Sequence, residues 1–106
     1  MNSTKISQLQ ILQQNLQNTL LQKQQIQNSI VEFESALSEL KVTDKAYKII
    51  GNIMVASSKD NLSKDINEKK DIAVIRLNNF VKQEERLKKN IEELQKEVVD
   101  KFKKNE

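Results

Sequence analysis

The chain has no cysteine, proline, histidine or tryptophan, and a single glycine, Gly51, in 106 residues. Without cysteine there is neither a disulfide framework nor a thiolate metal site, an absence that fits a reducing cytosol. Without proline, and with one glycine, loop-rich and sheet-rich architectures give way to long helices. With neither histidine nor cysteine the usual nucleophile–base pairs and soft-metal ligands are missing, and one glycine cannot build a phosphate loop. The carboxylates follow helix-surface spacing and are expected to stay solvated. No enzymatic activity, metal or cofactor is therefore expected. Arg76 and Arg86 are the only arginines, aromatics make up 4% of the chain, and acids interrupt the basic runs, which argues against nucleic acid as a partner. No apolar run approaches the roughly 20 residues that span a bilayer. The opening "MNSTKISQLQILQQ" lacks the continuous apolar stretch of a signal peptide. A cytoplasmic location away from membranes is expected.

What is present is helical patterning. Net charge is only +3, from 18 Lys and Arg against 15 Asp and Glu, and both signs alternate through the second half. Residues 1–31 carry only Lys5 and Lys23 as charges and are filled with Gln and Asn. Such composition alone fits disorder, yet apolar residues recur between the glutamines at steps of three and four. The first stripe reads Leu9, Leu12, Leu16, Thr19, Lys23, Ile26, Ile30, Phe33, Leu37 and Leu40. The second reads Ile66, Lys70, Ala73, Leu77, Phe80, Glu84, Leu87, Ile91, Leu94 and Val98. Sixteen of these 20 positions are apolar, against a chain average of 37%. Sustained three-four spacing is the signature of a coiled-coil seam.

Folding the chain back so that residue 40 faces 66 brings 37 to 70, 33 to 73 and, at the far end, 9 to 98. Neither stripe has a position left over. The expected fold is mainly α: a long antiparallel two-helix coiled coil, each arm about 35 to 40 residues or roughly 55 Å long. In this ladder Lys23 falls opposite Glu84. The two form either a register-fixing ion pair within the seam or a pair of long side chains reaching past it into water. Glu84 and Lys88, Glu85 and Lys89, Glu92 and Lys96, and Glu97 and Lys101 stand four residues apart, a spacing that supports an exposed helix. Ser57 or Ser58 is placed to cap the second helix, with Asp60 in its first turn.

The bend is unusual. "AYKIIGNIMVASSKD" is apolar where a helix-to-helix turn would need only a few polar residues. Gly51-Asn52 is a two-residue β-hairpin signal, with Gly51 supplying the positive φ of a type II′ turn. That turn pairs Ile50 with Ile53, Ile49 with Met54, Lys48 with Val55 and Tyr47 with Ala56. One face then shows Tyr47, Ile49, Met54 and Ala56, and the other Lys48, Ile50, Ile53 and Val55. A helix kinked at Gly51 is disfavoured by the β-branched residues and by Gly-Asn itself. An isolated two-stranded hairpin is marginal in water and leaves open edges. The hairpin is therefore expected to join hairpins of other chains in a closed sheet or barrel. The organisation is one domain over 1–106, with an N-terminal helix over 1–42, a hairpin over 43–58 and a C-terminal helix over 59–106.

Helix, short hairpin and helix, with "YKIIGNIMV" at the join, resembles the β-type subunits of prefoldin. That family carries an aromatic-Lys-x-apolar-Gly-x-apolar-apolar-Val signature at this place, matched by Tyr47, Lys48, Ile50, Gly51, Ile53, Met54 and Val55. "LNNFVKQEERLKKNIEELQKEV" is similar to the family's second arm. The α-type subunits have two hairpins between their arms, and only one fits here. Ala56 departs from the family, which often has a basic residue there. The resemblance implies an ATP-independent holdase without cofactors, in which six subunits join their hairpins in a β-barrel. It also implies α-type and other β-type subunits, unfolded client proteins and a group II chaperonin as partners.

On this reading Tyr47, Ile49, Ile50, Gly51, Ile53, Met54 and Val55 serve assembly. Clients would be held at the free helix ends, where Ile6 and Ile11 lie off the first stripe and Val99 and Phe102 off the second. With the neighbouring Leu9, Leu12 and Val98 they form the candidate client-binding set, beside Lys101, Lys103 and Lys104, which favour acidic partners. Stray apolar residues on frayed ends are the plain alternative. Leu20, Leu21, Val31, Ile72, Val74, Ile75 and Val81 also lie off the seam, and widen the core or touch a neighbouring arm. A structural coiled-coil adaptor without chaperone activity explains the arms as well, but gives the apolar hairpin no task.

Overall fold

The computed structural model describes residues 2–104. Helix α1 spans Asn2–Val42, strand β1 Ala46–Ile50, strand β2 Ile53–Ser57 and helix α2 Lys59–Lys104. Both helices are built from Leu, Gln, Glu, Lys and Ile with no glycine or proline inside them, so nothing in their interiors interrupts the backbone ladder. At the end of α1 the Thr43 N–H donates to the Glu39 carbonyl at 3.1 Å, and Thr43 Oγ1 donates to the Lys45 carbonyl at 3.1 Å. The Ser58 side chain opens α2: Ser58 Oγ accepts the Asn61 N–H at 3.1 Å while its carbonyl takes the Leu62 N–H at 3.0 Å. Of the two candidate caps, Ser58 therefore holds the position, with Asp60 in the first turn where the helix dipole favours an anion.

The chain divides into two compact units, one of Met1–Gln24 with Asn78–Glu106 and one of Gln25–Leu77. In the first, Lys5 meets Glu97 and Lys23 meets Glu84. Rising numbers on α1 meet falling numbers on α2, so the helices run antiparallel. In the second, Lys70 meets Glu34 at 3.5 Å and Lys48 ties the first strand to Asp65 of α2 at 3.7 Å. The seam is thin. Ile26, Leu40, Ala46 and Ala73 are buried in the hairpin-bearing unit, and Thr19, Glu84 and Ile91 in the other. All 20 stripe positions are buried or half-buried, as the three-four spacing predicts. The rhythm runs one step further than the two stripes, since Lys5 and Lys101 are also half-buried.

The strands form a two-stranded antiparallel sheet with Ala46 opposite Ser57, Tyr47 opposite Ala56, Lys48 opposite Val55, Ile49 opposite Met54 and Ile50 opposite Ile53. Gly51 has φ of +60°, and among the described residues no other residue has positive φ. A type I′ turn needs positive φ at both central positions, so the turn is of the II′ kind that Gly-Asn predicts. A side chain at Gly51 would meet nothing within 4 Å. The glycine is required by backbone conformation and not by space.

Candidate interaction surfaces

The hairpin inverts the usual placement of apolar side chains. On one face Tyr47, Ile49 and Met54 are exposed, and on the other Ile50, Ile53 and Val55 are exposed, with Ile49 reaching 69%. Only Ala46, at the base of the first strand, is buried. Beside the hairpin a groove of about 490 Å³ is lined by Ala36, Leu40, Ala46, Ile49, Leu62 and Ile66 among others. Six large apolar side chains over ten strand residues, uncovered on both faces, form a patch of the kind that soluble chains reserve for partners. All seven residues assigned to assembly thus sit together at the bend, with Gly51 setting the turn that holds the others in register.

At the free ends the structure separates the candidate client-binding residues into two groups. Ile6, Ile11, Val99 and Phe102 are exposed, from 38% for Ile6 to 61% for Ile11. Leu9, Leu12 and Val98 are half-buried in the seam. Of the apolar residues that lie off the seam mid-arm, Leu20, Leu21, Val31, Ile72, Val74 and Ile75 are exposed and Val81 is half-buried.

The seam's polar exceptions are satisfied inside the chain. Lys23 Nζ donates to Glu84 Oε1 at 3.2 Å, so the ion-paired arrangement is the one adopted. Lys88 adds a second contact to Glu84 at 3.6 Å. The hydrogen bond from Lys23 holds the Glu84 carboxyl below its ordinary value of 4.5, against the opposing effect of burial, and the charges of Lys23 and Lys88 add to the lowering. Thr19 is 1% exposed, and its Oγ1 accepts a hydrogen bond from Gln83 Nε2 at 3.1 Å. Sequence spacing placed Thr19 on the stripe but gave no sign of Gln83, whose reach across to α1 depends on side-chain geometry. Among the described residues Glu84–Lys88 is the one pair of the four expected at i, i+4 that closes, and Glu97 turns instead to Lys5 at 3.0 Å. Solvated ion pairs of this kind gain little from closing. No group of three or more His, Cys, Asp or Glu able to hold a metal occurs among the described residues. No helix among them is long and apolar enough to cross a membrane.

The comparison with known families then decides the identity, because the family model described as "Prefoldin subunit" matches residues 3–105. This chain belongs to the prefoldin subunit family. Relatives include the prefoldin subunit beta of Archaeoglobus fulgidus, 38% identical over 96 residues that cover 88% of this chain and 83% of that protein. The prefoldin subunit beta of Saccharolobus islandicus is 34% identical, covering 88% and 76%. The crystal structure of the prefoldin beta subunit from Thermococcus strain KS-1 superposes with a TM-score of 0.86 at 29% identity, over 93% of this chain and 90% of that one. The two long helices and single hairpin are thus the prefoldin β-subunit fold, and the family is one of chaperone subunits that assemble with other prefoldin subunits. The signature residues Tyr47, Lys48, Ile50, Gly51, Ile53, Met54 and Val55 are all exposed at the bend.

Proposed function

We propose that this chain is a β-type subunit of a hexameric, ATP-independent prefoldin in the cytoplasm. Its hairpin joins those of α-type and other β-type subunits in a β-barrel. Nonnative chains are held at the free helix ends and handed to a group II chaperonin. The observation that carries this reading is the hairpin exposed on both faces, because a two-stranded ribbon with apolar side chains on each side is stable only when other strands and faces cover it. A coiled-coil adaptor would need the arms but not this ribbon. The exposed Ile6, Ile11, Val99 and Phe102 supply adaptable apolar contacts at the ends. Nothing in the set of side chains calls for a nucleotide or a metal.

Light scattering of a denatured client tests the holding activity. The assembled protein is expected to suppress aggregation without ATP. Removal of residues 1–11 and 99–106 is expected to abolish suppression while native mass spectrometry still finds the assembly. Full suppression by the shortened chain would remove the ends from client binding.

A further inference from the structure

The seam has two flanks, and in the unit that carries the free ends they differ in kind. Residues that follow the heptad rhythm just beside Leu9, Leu16 and Lys23 on α1, and beside Glu84, Ile91 and Val98 on α2, share one edge of an antiparallel pair. That edge carries Ile6, Leu20, Val81 and Phe102, with Gln13, Lys88 and Gln95 between them. The opposite edge carries Gln8, Asn15, Gln22, Gln83, Asn90 and Glu97, without one apolar residue. The polar edge is also closed by bridges from α2 to α1: Gln83 reaches Thr19 at 3.1 Å and Glu97 reaches Lys5 at 3.0 Å. The apolar edge has no such cover. Ile6 is 38% exposed, Leu20 39% and Phe102 55%, with Val81 half-buried. Its one charged side chain, Lys88, joins Lys23 on Glu84, which leaves a single surplus positive charge there.

We infer that this edge is the track along which a nonnative client lies above the free ends, so that contact continues from Ile6 and Phe102 up to Leu20 and Val81 along this edge and not along the opposite one. The inference rests on the holdase reading and sharpens it. Four partly exposed side chains offer far less than the roughly 800 Å² per partner of a stable subunit interface, which suits a weak, renewable contact better than a neighbouring arm. From Ile6 to Leu20 is 14 residues of helix, or about 21 Å. That length matches about six residues of extended chain. The occupant is therefore a short extended apolar segment of an unfolded protein, without basic residues where it passes Lys88.

The test uses the complete assembled complex and reduced, denatured lysozyme as the client, read by light scattering. Leu20→Gln with Val81→Gln is expected to raise the complex concentration needed for half suppression by roughly five-fold, the size expected for losing one or two partly exposed apolar contacts. Leu20→Gln alone, at a site that tolerates a polar side chain, is expected to shift it in the same direction. Gln22→Ala with Asn90→Ala on the opposite edge is expected to leave it unchanged. Wild-type potency in both Leu20 variants, or an equal loss from the opposite edge, would overturn the track. So would a changed native mass in the Leu20 variants, which would assign the edge to a neighbouring subunit. A wild-type complex that fails to suppress aggregation at all would remove the holdase reading itself, and the track with it.

Discussion

Ile49 at the bend is 69% exposed, whereas Glu84 on the seam is 9% exposed. The hairpin shows solvent its isoleucines, and the arms bury a carboxylate. The difference lies in what each region packs against. Along the arms the partner is the other helix of the same chain, so a position on the stripe is covered whatever its side chain, and a polar exception must find its own partner. Glu84 finds Lys23 and Lys88, and Thr19 finds Gln83. At the bend the chain has nothing left to cover the ribbon. Burial in this protein follows position in the heptad first and hydrophobicity second, and the exposed hydrophobicity at the bend is what the proposed assembly would cover.

Breaking the hairpin side of the comparison should have the largest effect. Ile50→Asp with Ile53→Asp places two carboxylates on one apolar face without altering the turn. Assembly is expected to be lost in sedimentation while helix content stays, because the arms close within the chain. The seam side should respond next. Glu84→Ala leaves Lys23 half-buried without its anion and is expected to cost about 2 kcal/mol in urea unfolding, whereas Lys23→Leu with Glu84→Leu is expected to be neutral or stabilising.

The same residue sets an acid limit. The folded-state value of Glu84 is lowered, so its contribution is complete above its ordinary value of 4.5 and is lost as pH falls through the lowered value. Tm is therefore expected to decline below about pH 4.5 partly through this group, and Glu84→Gln should flatten that part of the profile. An unchanged acid limb in the Gln variant would place the loss elsewhere.

Smaller effects sharpen the boundary between the regions. Ser58→Ala removes the cap of α2 beside the hairpin and is expected to cost about 1 kcal/mol. Glu97→Ala, in an exposed bridge to Lys5, is expected to cost a few tenths of a kcal/mol at most, with Tm as the measurement.

Most of the backbone was readable in the residues because it depends on period and turn chemistry. The stripe positions, the fold-back pairing of Lys23 with Glu84, the II′ turn and the strand register from Tyr47 to Ala56 all follow from spacing and from one glycine. What escaped depends on side-chain reach. Nothing in the sequence distinguishes Ser58 from Ser57 as the cap, or sends Glu97 to Lys5 instead of to Lys101. The hydrogen bond that satisfies Thr19 comes from Gln83, one of many glutamines in the chain. The separation of Ile6 and Phe102 from Leu9 and Val98 at the free ends, by contrast, already follows from the stripes, and the burial agrees with it.

Assembly requires strands of other chains to join the open edges of the hairpin. Hydrogen exchange of the backbone amides over residues 46–57, measured beside native mass in the presence of an α-type subunit, tests this directly. The expected result is a multi-chain mass with the outward-facing strand amides protected. A monomer whose strand amides exchange freely with that subunit supplied would contradict it.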